Sequence, residues 1–117
     1  MNIQRHHIGP RMSQAVTHNG FVFLAGQVAD NADGTSVAEQ TADILKQIDA
    51  LLEETGSDKT RILSTTIWLA DISTFAEMNS VWDTWVPVGH TPARATVEAK
   101  LAAPKYKIEI GIIAAQK

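Results

Sequence analysis

Residues 21–29 read FVFLAGQVA. Phe21, Val22, Phe23 and Leu24 are consecutive, so a strand here carries apolar side chains on both faces and needs both covered. AVTH at 15–18 and then Asn19-Gly20 stand just ahead of it. Two apolar runs around an Asn-Gly pair are a hairpin pattern, because both turn positions tolerate positive φ. Gly26 inside the strand leaves room for a ligand or a second backbone to come close. Residues 29–36, ADNADGTS, form a turn-rich loop.

Outward from that strand the pattern becomes helical. Ser36 with Glu39 is a capping box, in which a side chain satisfies an otherwise orphaned amide at each end of the pair. Thr41, Ile44, Leu45, Ile48, Leu51 and Leu52 then make one stripe, and Gly56 is the stop. Residues 61–70, RILSTTIWLA, read as a strand rich in β-branched residues. Thr74 with Glu77 predicts a second capping box. Phe75, Met78, Trp82 and Trp85 follow at helical spacing, and Pro87 ends the helix. That stripe makes the tryptophans core residues rather than stacking platforms for bases.

Residues 93–101, ARATVEAKL, alternate: Ala93, Ala95, Val97, Ala99 and Leu101 on one face, Arg94, Thr96, Glu98 and Lys100 on the other. The last segment places Tyr106, Ile108, Ile110 and Ile112 on one face and Lys107, Glu109, Gly111 and Ile113 on the opposite one. The order β-β-α-β-α-β-β, with room for a short extra strand near Ile3, is an α+β pattern. Right-handed crossovers place both helices on the same face of one sheet. The other face then keeps Phe21 or its neighbours and Ile113 in the open. The chain offers no third helix to cover them, so a homo-oligomer that buries this face is expected.

The 117 residues suit one domain over the whole chain. Hydrophobic residues at 44% and charged residues at 20% exclude a disordered chain, and no apolar run approaches the ~20 residues of a bilayer span. The start, MNIQRHHIGP, lacks an apolar signal core. Cysteine is absent, which removes disulfides and thiolate chemistry. A cytoplasmic location and no membrane partner are expected. The net charge of -3 and pI of about 5.7 disfavour nucleic acid as a partner.

No phosphate-binding or hydrolase motif is present. His6 and His7 are adjacent, so on a strand they point to opposite faces and are poor partners for one metal; no metal site is expected. For His90, ahead of Thr91-Pro92, loop polarity is a sufficient explanation. Arg94 follows Pro92 where a loop meets the sheet. Its rigid fork matches a carboxylate in two parallel hydrogen bonds. The bland alternative is a solvated strand face with a weak Arg94–Glu98 ion pair. Glu109 lies between two isoleucines, where apolar neighbours tend to raise a carboxyl pKa and suit it to proton transfer; an exposed or interface-paired glutamate is the alternative. Asn79 lies beside the second helix's stripe, pointing either into a cleft or along the helix surface.

The segments FLAGQVA, TTIWLADISTFAEMNSVWDTW, PARATVEAKL and KIEIGIIAA, in that order, resemble the Rid (reactive intermediate deaminase) family, formerly grouped as YjgF-like proteins. The likeness runs from about Gly9 to Ala115, and the ending PKYKIEIGIIAA is similar to a short-chain bacterial subgroup. The resemblance implies a chorismate-mutase-like fold of the bacillus type. It implies a homotrimer whose sheets form a central barrel-like core, with three clefts between subunits. It also implies cofactor-free hydrolysis of enamines and imines such as 2-aminoacrylate to 2-oxo acids and ammonia. Matched by position, Arg94 falls on the arginine that grips the substrate carboxylate and Glu109 on the glutamate that places water. Asn79, Gly26 and Thr96 fall on positions lining the cleft. Three departures stand out. Met12 or Arg11 replaces the usual tyrosine, Ala25 the usual serine and Thr96 the usual cysteine. The first two remove hydroxyls and the third rules out thiol chemistry. Two other classes compete: a non-catalytic sensor of small carboxylates, and a ribonuclease or translation inhibitor. The acidic pI and the lack of a histidine pair or basic stripe argue against the latter.

Overall fold

The structure, a computed structural model, describes residues 2–117. Among them six strands form one sheet: β1 Gln4–Ile8, β2 Ser13–His18, β3 Phe21–Gln27, β4 Ile62–Leu69, β5 Ala93–Glu98 and β6 Ile108–Ala115. Two helices accompany it, α1 Val37–Glu54 and α2 Phe75–Trp85, with short 3-10 turns at Lys59–Arg61 and Ile72–Thr74. The strand order is β1-β2-β3-β6-β4-β5. β4 and β5 run parallel, as a crossover through α2 demands, and every other pair is antiparallel. The extra strand near Ile3 is therefore β1, and the α+β expectation of a mixed sheet with two helices holds.

The β2–β3 hairpin turns on Asn19 and Gly20, whose φ values of 52° and 81° are those the Asn-Gly pair accepts cheaply. In α1 the Ser36–Glu39 box is complete, with Ser36 Oγ accepting from the Glu39 amide at 3.1 Å and Glu39 Oε1 from the Ser36 amide at 3.2 Å. The second box does not form. The Thr74 hydroxyl donates to the Asp71 carbonyl, and Asp71 caps the Ile72–Thr74 turn. Hydrogen bonds from Ser73, side chain first and then backbone, hold the Asp71 carboxyl below its usual value. Glu77 instead accepts from the Ala38 amide at 2.9 Å, supplying a partner to the first turn of α1 and tying the two helices together.

Register sorts every strand residue onto one of two faces. Ala15, Val22, Leu24, Ile67, Leu69, Ile108, Ile110, Ile112 and Ala114 are buried on the face that carries the helices. There they meet Ile44, Leu45, Ile48 and Leu52 of α1 and Met78 and Trp82 of α2. The opposite face carries no layer. Phe21 and Phe23, cross-strand to Ala115 and Ile113, are 41% and 43% exposed; Ile113 is exposed beside Phe23, and Val97 is exposed on the same face at the far edge strand β5. Trp68 lies across Gly111 on this face, where a Cβ would sit 3.2 Å from the indole.

Two expectations need correction. The strand read over 93–101 ends at Glu98, and the register decides which of its two faces meets the helices. Ala93, Ala95 and Val97 take the uncovered face, opposite Ser64, Thr66 and Trp68, while Arg94 and Thr96 turn toward the helices, opposite Thr65 and Ile67. Alternation alone leaves open which set turns inward; the register with β4 settles it. Of the α2 stripe, Met78 and Trp82 are buried. Trp85 is half-buried, with its indole N–H donating to Asp49 at 3.0 Å, and Phe75 stays in the open.

Candidate functional site

Arg94 owes its position to α2. Phe75, Met78, Asn79 and Trp82 stand at i, i+3, i+4 and i+7, so one helix face presents all four to the start of β5. The guanidinium donates to Asn79 Oδ1 at 2.8 Å and lies 4.0 Å from Met78 Sδ. Its carbon sits 5.7 Å from the Phe75 ring centre and 5.3 Å from that of Trp82, within cation–π range of both. Among the described residues no carboxylate pairs with Arg94. The Arg94–Glu98 ion pair of the bland reading does not form; Glu98 accepts from the Ile72 amide instead. A half-buried cation that is oriented by one amide and two rings, with no hydrogen bond from Nε or Nη2 among the described residues, is set to receive an anion in two parallel bonds. Asn79 thus points to Arg94 rather than along the helix surface. Thr96 is two residues farther along the same face, with its hydroxyl buried and without a hydrogen-bond partner among the described residues.

Glu109 occupies the other side of the sheet. It pairs with Trp68 in β6, the strand flanked by β3 and β4, and stands on the uncovered face. Its carboxylate lies directly over Gly26, where β3 shifts register between Leu24 and Gln27. A Cβ at Gly26 would overlap Glu109 Oε2 and come within 2.9 Å of its Cδ. Met12 meets Gly26 from the helix side, across a groove of about 510 Å³ that His7, Gln27 and Leu51 also line. Gly26→Ala is expected to fold, because the obstructing atoms are the far end of a flexible side chain. It should displace the Glu109 carboxylate with an unchanged melting temperature, which a crystal structure of the variant beside a thermal melt checks.

Within one chain the six candidates form two groups. Asn79, Arg94 and Thr96 share the helix-covered face of the edge strand β5. Glu109 is two strands away on the opposite face, with Gly26 against it and Met12 beyond. The histidine expectation is corrected as well. His7 adopts φ 54°, which breaks the alternation of β1, so both imidazoles reach one carboxylate: His6 Nδ1 at 3.4 Å and His7 Nε2 at 2.9 Å from Glu54. No group of three or more potential ligands that could hold a metal occurs among the described residues. His90 is exposed in a loop, with Nδ1 3.1 Å from the Val88 carbonyl oxygen. Sequence reading missed Phe75 and Trp82 as partners of Arg94. The signal was there, since Asn79 sits inside their i, i+4 and i+7 series.

Fold and clusters together define a small α+β domain with a candidate anion clamp on one face of its sheet and an isolated carboxylate on the other. The sequence model of the family described as Endoribonuclease L-PSP matches residues 5–116. The RutC family protein YoaB of Escherichia coli is 50% identical over 115 residues, spanning 98% of this chain and 99% of that protein. A solved YjgF-family structure from Neisseria meningitidis superposes with a TM-score of 0.97 at 51% identity, covering 100% of this chain and 97% of the other. A more distant relative, Reactive Intermediate Deaminase A of Arabidopsis thaliana, is 34% identical over 112 residues, 92% of this chain and 59% of that protein. The chain belongs to the RutC/YjgF/Rid family. Among the described residues no helix is long and apolar enough to cross a membrane.

Proposed function

We propose that this protein is a cytoplasmic imine deaminase that hydrolyses 2-imino acids, and the enamines that tautomerise to them, such as 2-aminoacrylate, to 2-oxo acids and ammonia. The observation that carries the reading is the Arg94 guanidinium, half-buried and oriented without a counter-ion. A family relative named as a reactive intermediate deaminase supports it. Each site lies between two copies in a homotrimer. The exposed apolar face, with Phe21 and Phe23 ring centres 6.3 Å apart, supports association, and the barrel-like core is where these faces meet.

In this assembly Arg94 of one copy grips the carboxylate and turns the C=N carbon toward Glu109 of its neighbour. Glu109 takes a proton from water as the oxygen attacks that carbon, giving a tetrahedral carbinolamine. The same carboxyl returns the proton to nitrogen. The carboxyl then takes the hydroxyl proton and passes it to the same nitrogen as the C–N bond breaks, so that ammonia leaves and the ketone forms. Uncatalysed imines already hydrolyse, so positioning and one proton relay, worth about 10²–10⁴ in rate, suffice. The fixed residues need no cofactor for these steps. Imines are generated in solution by an amino-acid oxidase, and their decay is followed with and without the protein. Accelerated decay with stoichiometric ammonia is expected. Binding of 2-oxobutyrate without acceleration would replace the enzyme with a carboxylate sensor.

A further inference from the structure

Where β3 passes Glu109, the strand carries one residue too many. Leu24 pairs with Ile112 and Gln27 with Ile110, so Ala25 and Gly26 together oppose Gly111. This is a β-bulge, which leaves part of the ladder unpaired. It also returns Gln27 to the face of Ile110, on which Leu24 and Ile112 are core residues. An amide, 6% exposed, therefore stands where the pattern asks for an apolar side chain. Its Nε2 spends both hydrogens at the bulge. One goes to the Ala25 carbonyl at 3.0 Å and the other to Gln14 Oε1 of β2 at 3.0 Å.

We propose that Gln27 is a positioning residue: it holds the bulge that seats Gly26 under the Glu109 carboxylate, and so fixes that carboxylate for proton transfer. This rests on the reading of Glu109 as the proton carrier. Glu109 Oε2 lies so close over Gly26 that a Cβ has no room there, so the placement of the Gly26 backbone decides where the carboxylate stands. Ala25, whose carbonyl Gln27 holds, is the residue immediately before it. An apolar side chain at 27 would suit the core face, but it has no donor for that carbonyl, and the bulge would be free to relax.

Gln27→Met and Gln27→Leu nearly keep the size and remove the donor; both are expected to fold, which thermal melts check. Each should lower kcat about tenfold while KM and the affinity for 2-oxobutyrate stay within about twofold, because Arg94 holds the substrate carboxylate elsewhere. Gln14→Met keeps the bond to Ala25, and its kcat should stay within about threefold of wild type. Losses of kcat and of 2-oxobutyrate affinity by similar factors would mean that Gln27 only supports the fold, and would overturn the proposal. Crystal structures of the Gln27 variants separate it from the catalytic reading. A Glu109 carboxylate displaced from Gly26 with wild-type kcat contradicts only the catalytic reading. A carboxylate that keeps its place over Gly26 contradicts only this one.

Discussion

Arg94→Ala is expected to lower kcat/KM on 2-imino acids about 10²–10⁴-fold, because two charge-assisted hydrogen bonds, each worth about 1.5–3 kcal/mol, are lost together. Affinity for 2-oxobutyrate should fall in parallel. Arg94→Lys keeps the charge without the fork, and at least a tenfold loss should remain. Assembly should survive, since Arg94 lies on the helix-covered side and contributes nothing to the exposed apolar face. Asn79 loses its donor but keeps access to solvent, so the cost in stability is small beside the loss of activity. Steady-state kinetics, light scattering and a melt on one preparation check the three parts. Full activity in Arg94→Ala would remove the carboxylate clamp from the mechanism.

Phe23→Glu is expected to abolish activity by a different route. Phe23 sits on the uncovered face, opposite Val16 on one side and Ile113 on the other. A carboxylate there would be desolvated without a partner in any assembly that covers this face. The cost of several kcal/mol is enough to dissociate it. The single chain should still fold, because the side chain points away from the helices and their core. Light scattering should report a monomer and the imine assay should report background. A monomeric variant with wild-type activity would show that one chain holds a complete site.

Much of the fold can be read from residue pattern. The Asn19-Gly20 turn, the Ser36 capping box and the α1 stripe are local signals, and local physics satisfies each of them. The uncovered face was legible too, from four consecutive apolar residues that one layer of helices cannot cover on both sides. What was not legible depends on contacts far apart in sequence. The direction in which Arg94 points is set by the parallel register with β4, which no property of residues 93–98 specifies. Glu77 offered the correct capping chemistry, but its partner is the Ala38 amide of the other helix. His7 leaves the strand pattern through a positive φ that its residue type does not announce. For the candidate site, the chemistry of each single side chain can be read from the sequence, and the grouping of those side chains cannot. Arg94 and Glu109 look like one pair in sequence, but the sheet puts them on opposite faces.

That separation yields the most direct test. Arg94→Ala and Glu109→Gln subunits, each inactive alone, are unfolded together and refolded as mixed oligomers. If every site takes its arginine from one copy and its glutamate from the next, about a quarter of the sites in a random mixture regain both groups, and activity should return to roughly that fraction of wild type. Mixed oligomers that form yet stay at background would contradict a site shared between copies.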